Sequence, residues 1–358
     1  MAGPRVAAVG LPASGEAGPV ADGEDDDSLP GTVPAPEPDE VELRRATVAR
    51  EQHGLRLDKA LVALAPEFSR SHLQSLILRG HVRLDGVVQD TASRKLKSGQ
   101  ALAVELVPTA ETLAFRPEPL ALAILHEDAH LLVLHKPVGL VVHPAAGNWS
   151  GTLLNGLLAH HPAAAQLPRA GIVHRLDKDT SGLMVVAKTL QAMTALVRAI
   201  AAREVRRVYL ALAHGRPAWV DCRIDAPIGR DPASRLRMAV VASGKPARTD
   251  VTRLAVVDTA DGVVSALCCR LHTGRTHQIR VHLASRGHPL LADVLYGGRP
   301  ALGLTRQALH ATELAFAHPI DGRPLAFQAV PPADMSAAWQ AVAGDPADVL
   351  AQLAAQRG

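Results

Sequence analysis

The sequence predicts an α+β protein, with a small helix–hairpin domain followed by a larger domain built on a mixed, largely antiparallel sheet. The chain has 358 residues, and a domain usually holds about 100–200. Two short helical patterns and a hairpin signal lie close together near the amino end. Farther along, apolar strand-like runs alternate with helical patterns. The sequence contains no glycine-rich phosphate loop or dinucleotide fingerprint.

The first 45 residues are predicted to be a disordered acidic tail, because they are rich in Gly, Pro, Ala and acids and offer little to bury. Residues 1–40 hold one base and nine acids, a net charge of −8, whereas the whole chain carries +3, so the remainder carries +11. A basic remainder is compatible with a polyanionic partner such as nucleic acid. An ordinary basic surface would give the same charge.

The composition also indicates in which cellular compartment the protein is found. The three cysteines show no paired Cys-x-x-Cys spacing, which argues against a zinc ribbon or a disulfide framework. No apolar stretch approaches the ~20 residues of a membrane-spanning helix, and the first 20 residues lack the compact apolar segment of a signal peptide. We expect a cytoplasmic protein with no membrane association.

The small domain, residues 54–107, begins with two helices. Apolar residues at 57, 60, 61 and 64 share one helical face. In the second helix Ser69 is placed to cap the start and Gly80 to end it. Asp85-Gly86 then predicts a hairpin, and "GQALAVELVP" a closing strand.

Six basic residues and two acids lie between positions 70 and 97 of this domain. Such a module could clamp a phosphate backbone, although a solvated basic face is the plainer alternative. The run "RLDKAL…SRSHLQSLILRGHVRLDG" resembles the S-four type of RNA-binding domain, which implies RNA contacts from Arg70, Arg79, Arg83, Lys95 and Lys97, with Arg94 beside them.

Proline recurs without periodicity in residues 108–120, which predicts a linker. Residues 121–335 form the predicted second domain, with strands at "LLVLHKP", "LMVVAKT", "VYLALAHG", "SALCCRLHTG" and "LAFQAVPP" and helices near 190–203 and 279–286. Residues 336–358 are predicted to be a helical, alanine-rich carboxyl-terminal extension.

Two kinds of chemistry are disfavoured in the second domain. His272, His277 and His282 are spaced by five residues, which places them on one face of neither a helix nor a strand, so no metal site is expected. Ser181 does not lie in a nucleophile elbow; "TSG" is better interpreted as a turn in which Gly182 allows close backbone packing.

A carboxylate remains as the candidate for chemistry. Asp177 lies between Leu176 and Lys178, just before the apolar run "LMVVA". A partly buried carboxylate kept ionised by an arginine can act as a nucleophile or base. Taken alone, an aspartate beside basic residues more often forms a surface ion pair.

Several ordered motifs support the carboxylate. The chain from about residue 55 to 335 resembles the RluA group of pseudouridine synthases in "KPVGLVVHPAAGN", "HRLDKDTSGLMVVAKT", "VYLALAHG", "GRTHQIRVHL" and "RQALHATELAFAHPIDG". The motif "HRLDKDTSGLMVVAKT", together with "SGKPARTD" and the amino-terminal module, is most similar to the branch of the group that modifies large-subunit ribosomal RNA.

The resemblance implies the roles of three residues. Asp177 would be the essential carboxylate, either by adding to the sugar or by removing a ribose proton to give a glycal; both routes stay open. Arg280 would pair with this aspartate. Tyr209 would stack on the target base and help remove the proton from carbon 5. Since the reaction involves no redox change, no cofactor is expected.

Further residues are expected to contact substrate. Arg175 would occupy the place of a flipped-out nucleotide, as the resemblance implies. Arg275, His277 and Lys136 would hold backbone or phosphate, with a structural role as the alternative. Leu183 and Leu283 would line the uracil pocket, with packing in the core as the more conservative interpretation of both.

The sequence therefore predicts a monomeric RNA pseudouridine synthase, whose partner is large-subunit ribosomal RNA or the assembling large subunit. Two alternatives stay open. One is a non-catalytic RNA-binding ribosome-assembly factor on the same fold. The other is a hydrolase of N-glycosidic bonds, which would release free uracil.

Overall fold

The computed structural model describes residues 42–107, 114–145, 147–234 and 236–355. Its helices are α1 Leu57–Leu64, α2 Arg70–Leu78, α3 Leu153–His160, α4 Leu190–Ala201, α5 Gln278–Ser285, α6 Ala333–Ala343 and α7 Pro346–Ala355. In the parts of the chain described, no helix has the length and apolar character needed to cross a membrane.

Fifteen strands accompany these helices in the described residues. The first four are β1 Glu42–Thr47, β2 Val82–Leu84, β3 Val87–Val88 and β4 Ala101–Leu106. The others are β5 Ala123–Glu127, β6 Leu131–Lys136, β7 Ser181–Ala187, β8 Arg206–His214, β9 Asp221–Asp225, β10 Ile228–Arg230, β11 Met238–Val240, β12 Arg248–Thr259, β13 Gly262–Leu271, β14 Leu309–Ala317 and β15 Pro324–Gln328.

The amino-terminal module packs α1 and α2 on a four-stranded sheet in the order β1-β4-β2-β3. The hydroxyl of Ser69 accepts a hydrogen bond from the backbone N–H of His72, which confirms the predicted cap. Asp85 and Gly86 both have positive φ between β2 and β3, as a tight hairpin of this type requires. Leu57, Leu73 and other apolar residues of both helices are fully buried against the sheet.

The first strand corrects the predicted tail. β1 pairs antiparallel with β4 over residues 42–47, so residues 42–45 are part of the folded module and were wrongly assigned to the disordered segment. Residues 1–41 of that predicted tail lie outside the described residues, as do 108–113 of the predicted linker.

The large sheet has nine strands in the described residues, in the order β5-β6-β7-β14-β8-β13-β12-β9, with β15 beside β14. Its single parallel pair in this part of the chain joins β7 to β14 through Ser181 and Gly182. The other pairs are antiparallel. The prediction of a mixed, largely antiparallel sheet is therefore confirmed.

Two apolar layers cover the sheet. Helices α3 and α5 contribute to one layer with Met184 and Tyr209. The opposite face carries α4, packed against residues such as Leu183 and Val185, and the pair α6–α7, packed against Val208 and neighbouring residues.

The carboxyl-terminal helices form part of this second layer. Trp339 of α6 is fully buried among residues of β8 and β13. The helical prediction for 336–358 is confirmed as far as residue 355. The domain boundary drawn at residue 336 falls inside α6, which begins at Ala333. The helices complete the core and are not an appendage to it.

Candidate active site

An open cavity of about 1260 Å³ lies on the α3 and α5 side of the large sheet. Among the described residues, one carboxylate, Asp177, faces this cavity together with nine arginines and lysines: Arg169, Arg175, Lys178, Arg203, Arg207, Arg230, Lys245, Arg275 and Arg280. Such a wall attracts a polyanion and places a single carboxylate where the polyanion binds.

Asp177 lies in the loop that enters β7, and the loop is anchored on both sides of it. The imidazole Nε2 of His174 accepts a hydrogen bond of 3.1 Å from the backbone N–H of Val185. Burial lowers the pKa of His174 to about 3, so the ring is neutral and able to accept. After Asp177, the ammonium of Lys136 donates to the backbone carbonyl of Lys178 at 2.9 Å.

Gly182 allows this loop to join the sheet. A Cβ at this position would lie 2.3 Å from the carbonyl oxygen of Ala311 in β14, closer than real contacts permit. The predicted close packing at Gly182 is therefore confirmed. Ser181 beside it bonds to Nδ1 of His310 at 2.8 Å, but both residues are fully buried and neither lines the cavity, so this pair is structural.

Arg280 pairs with Asp177, as the family resemblance implies. Its Nη1 donates to a carboxylate oxygen of Asp177 at 3.1 Å, although the two residues are 103 positions apart. The side chains are 5% and 13% exposed, respectively. Because both side chains are shielded from solvent, this charge-assisted hydrogen bond is stronger and more directional than an ion pair on the surface.

The guanidinium of Arg280 is itself held by Asp293 and Tyr296. Nε and Nη2 donate to the two carboxylate oxygens of Asp293 at 2.9 and 3.0 Å. The guanidinium carbon lies 5.0 Å from the ring centroid of Tyr296, within the range of cation–π attraction. The phenol of Tyr296 is in turn 2.7 Å from Nδ1 of His277.

Tyr209 lies on the cavity wall in β8 and is 5% exposed. Burial raises the pKa of its phenol to about 12, and the charge of Asp177 adds to this increase. The phenol is therefore neutral at neutral pH, while its ring presents a flat apolar surface.

Three other predicted substrate residues also reach the cavity. Arg175 and Arg275 are exposed on its wall, and Nε of Arg275 donates to the carbonyl of Pro246 at 3.3 Å. His277 is buried and has a φ of 54° just before α5. Its imidazole supports Tyr296, which in turn lies against Arg280.

Lys136 and Leu183 do not line the cavity, which corrects their assignment as substrate contacts. Lys136 is fully buried and donates at 2.9 Å to the carbonyls of Pro137, Leu140 and Lys178. Leu183 packs in the apolar layer on the opposite face of the sheet. Leu283 is also a core residue, as the more conservative interpretation had it.

The structure adds residues that the sequence did not indicate. Asp293 and Tyr296 lie within "HPLLADVLYGG", residues 288–298, and no role was predicted for either of them. Arg207 lies two residues before Tyr209 on β8 and lines the cavity. The period of two along a strand would have placed it on the same face as Tyr209, and this was the signal available.

The basic side chains of the amino-terminal module are exposed at Arg79, Arg83, Arg94, Lys95 and Lys97. Arg70 differs, because its Nη2 donates at 2.7 Å to the fully buried carboxylate of Asp58. Arg56 and Gln74 bond the same carboxylate, which holds the pKa of Asp58 well below its usual range. Arg70 thus has a structural partner, with about half of its side chain exposed.

Comparisons with known proteins agree with this geometry. A family model described as RNA pseudouridylate synthase matches residues 130–285, and an S4 domain model matches residues 55–102. The first match includes the loop of Asp177, the strand of Tyr209 and the helix of Arg280.

Three relatives share the name ribosomal large subunit pseudouridine synthase D. The protein of Neisseria meningitidis serogroup B is 51% identical over 81% of this chain and 79% of its own length. That of Xanthomonas campestris is 47% identical over 87% and 96%, and that of Escherichia coli K12 is 45% identical over 81% and 91%. The chain belongs to the RNA pseudouridine synthase family, and it is an enzyme of that class carrying an S4 domain.

Proposed function

We propose that this enzyme converts specific uridines of large-subunit ribosomal RNA into pseudouridine, with Asp177 as its catalytic carboxylate. The observation that carries the proposal is the position of Asp177, ion-paired to Arg280 as the lone carboxylate of a basic cavity in the described residues. The relatives, which cover most of the chain, are named for the ribosomal large subunit.

The geometry suits an isomerisation on a flipped nucleotide. Exposed cations such as Arg175 and Arg275 hold the backbone at the cavity wall, while the base enters against the ring of Tyr209. Asp177 then acts on the ribose of this nucleotide, by addition to the sugar or by removal of a ribose proton. Because uridine and pseudouridine are isomers, the reaction consumes no co-reactant.

Tyr209 assists the last proton transfer. Since its phenol is neutral at neutral pH, it can take the proton from carbon 5 only when its own proton moves on, and Asp177 is the carboxylate on the same wall that accepts it. This role requires that the target base and Asp177 both stay next to Tyr209 until the proton has moved.

The amino-terminal module adds affinity for RNA through Arg79, Arg83, Lys95 and Lys97, whose charges neutralise phosphates. We place the activity in the cytoplasm, because the relatives are named for the ribosomal large subunit, and we propose that the enzyme is a monomer. The substrate is free ribosomal RNA or the assembling large subunit.

The test is to map pseudouridines in large-subunit ribosomal RNA from cells that lack the gene. The cells are complemented with the wild type or with Asp177→Asn, expressed to equal levels. We expect particular pseudouridines to vanish on deletion and to return with the wild type alone. If the pseudouridines also return with Asp177→Asn, Asp177 is not the catalytic carboxylate. If every pseudouridine persists in the cells that lack the gene, large-subunit ribosomal RNA is not the substrate.

The same strains address the non-catalytic alternative. An assembly factor would restore ribosome maturation equally well as wild type or as Asp177→Asn, with no change in modification. An N-glycoside hydrolase would release free uracil from labelled RNA, whereas the isomerase retains the label.

A further inference from the structure

Arg207 is a buried cation with polar atoms that lack partners. The residue is 4% exposed, and within the part of the chain that the structure describes its Nε and Nη2 have no hydrogen-bond partner. Burial lowers the pKa of the guanidinium, yet an arginine stays charged in proteins. Because an unpaired buried charge costs several kcal/mol, a fold that keeps one on the cavity wall indicates that a ligand in the cavity interacts with the charge.

The side chain is placed to meet such a ligand. Arg207 and Tyr209 lie two residues apart on β8, so their side chains share the face that lines the cavity. The loop after β13 adds no side chain here, since it presents Gly274, where a Cβ would lie 3.0 Å from Nη1 of Arg207. Asp177, the carboxylate of this wall, is bound by Arg280 instead.

We infer that Arg207 donates hydrogen bonds to a carbonyl oxygen of the target uracil and stabilises the uracil anion that forms when the glycosidic bond breaks. The inference rests on the proposed function, since it assigns a residue to that reaction. The burial of Arg207 indicates that it contacts the target base and not a phosphate. Arg175 and Arg275 are exposed where the RNA backbone passes, whereas Arg207 is as buried as Tyr209, where only the flipped base arrives.

The chemistry gives this position a purpose. Cleavage of the bond between C1′ and N1 leaves its electron pair on the uracil, and the negative charge spreads over N1, O2 and O4. Carbon 5 then bonds to C1′ through a ring electron pair, as the bond between C1′ and Asp177 breaks on the addition route or as Asp177 returns the ribose proton to the glycal. Carbon 5 loses its proton, while N1 takes up a proton. Arg207 binds the anion more strongly than the neutral base, so it acts mainly on the rate.

The test compares full-length wild type with Arg207→Met, which keeps the alkyl stem and removes the charge. With a transcript of large-subunit ribosomal RNA, we expect the single-turnover rate to fall about hundredfold or more, with a Kd for RNA within about twofold of wild type. The thermal midpoint should stay equal or rise, because an unpaired buried charge has been removed. Arg198→Met, at an exposed site on α4 whose side chain does not line the cavity, is the matched control.

Each other outcome overturns the inference. A weaker Kd with a salt slope reduced by about one would assign Arg207 to a phosphate. A lower thermal midpoint with a rate that follows the folded fraction would make it structural. If the wild type is active and Arg207→Met reacts at the same rate, only the role of Arg207 is rejected. If the wild type itself forms no pseudouridine, the proposed function is rejected.

Discussion

Asp293 holds both the Nε and the Nη2 of Arg280, at 2.9 and 3.0 Å, and so turns the remaining nitrogen, Nη1, toward Asp177. Asp293 is 2% exposed, and the planar guanidinium leaves little freedom once two of its nitrogens are fixed. Asp177, the proposed catalytic carboxylate, is therefore oriented through Arg280 by a second carboxylate that does not line the cavity.

Asp293→Asn should slow the reaction without weakening RNA binding. The variant keeps the shape of the side chain but loses the charge and one acceptor that orient Arg280. A misplacement on the scale of 1 Å can cost about a hundredfold in rate, so we expect a fall of this order in single-turnover rate with an unchanged Kd for RNA. Asp293→Glu, which keeps the charge, should recover part of the rate. Equal rates for wild type and Asp293→Asn would show that Arg280 needs no such support.

Tyr209→Phe should separate stacking from proton transfer. The ring stays on the cavity wall, so the Kd for RNA should change by less than about threefold. Without the phenol, the step at carbon 5 should slow by about a hundredfold or more, the usual size of acid–base assistance. Quench-flow measurement of pseudouridine formation gives the rate, and Tyr209→Leu, which also removes the aromatic face, serves as the comparison. If the two variants were equally slow and equally weak in binding, stacking would be the main contribution.

Local signals in the sequence were enough for many elements. Ser69 as a cap, Asp85-Gly86 as a hairpin and Gly182 as a close contact all depend on neighbours within a few residues or on the absence of a side chain. Strand β1 was missed because "ELRRAT" is charged and largely exposed. Its pairing partner β4 lies 54 to 64 residues later, where local patterns give no information.

The wrong assignment of Leu183 and the missed role of Asp293 have a related cause. All seven residues of β7 are buried, so alternation could not tell that Met184 belongs to the layer of Tyr209 and Leu183 to the opposite one. Family motifs joined Asp177 to Arg280 across 103 positions. Asp293, which has no motif, could be found only from the folded contacts.

Lys136 should make stability depend on pH. Burial lowers the pKa of its ammonium from 10.5 to about 7, against the opposing charges of Asp177 and Asp179. Between pH 7 and 10 the unfolded chain therefore binds more protons at this residue, and the folding stability of the wild type should rise with pH. The rise is at most about 1.4 kcal/mol per pH unit.

Urea unfolding at pH 6, 7, 8 and 9 measures this effect against Lys136→Met. The variant loses donors to three backbone carbonyls, so it should be less stable by about 1–3 kcal/mol or more. The difference between wild type and variant should widen as pH rises above 7. A difference that stayed constant would show that the buried amine titrates like an exposed one.

Trp339 tests whether the carboxyl-terminal helices belong to the catalytic core. It is fully buried and packs with residues of β8, the strand that carries Tyr209, and of its neighbour β13. Trp339→Ala should lower the free energy of unfolding by about 3–5 kcal/mol, measured by urea denaturation. Trp339→Phe should cost less, since within the described residues the indole N–H has no partner to lose.

The exposed Gln340 provides the matched control on the same helix, and Gln340→Ala should change stability by less than about 0.5 kcal/mol. Because β8 carries Tyr209 and Arg207, a cavity behind this strand should also loosen the active site, and the single-turnover rate of Trp339→Ala should fall even when the protein is fully folded. A stable, fully active Trp339→Ala would mean that α6 and α7 are not part of the catalytic core.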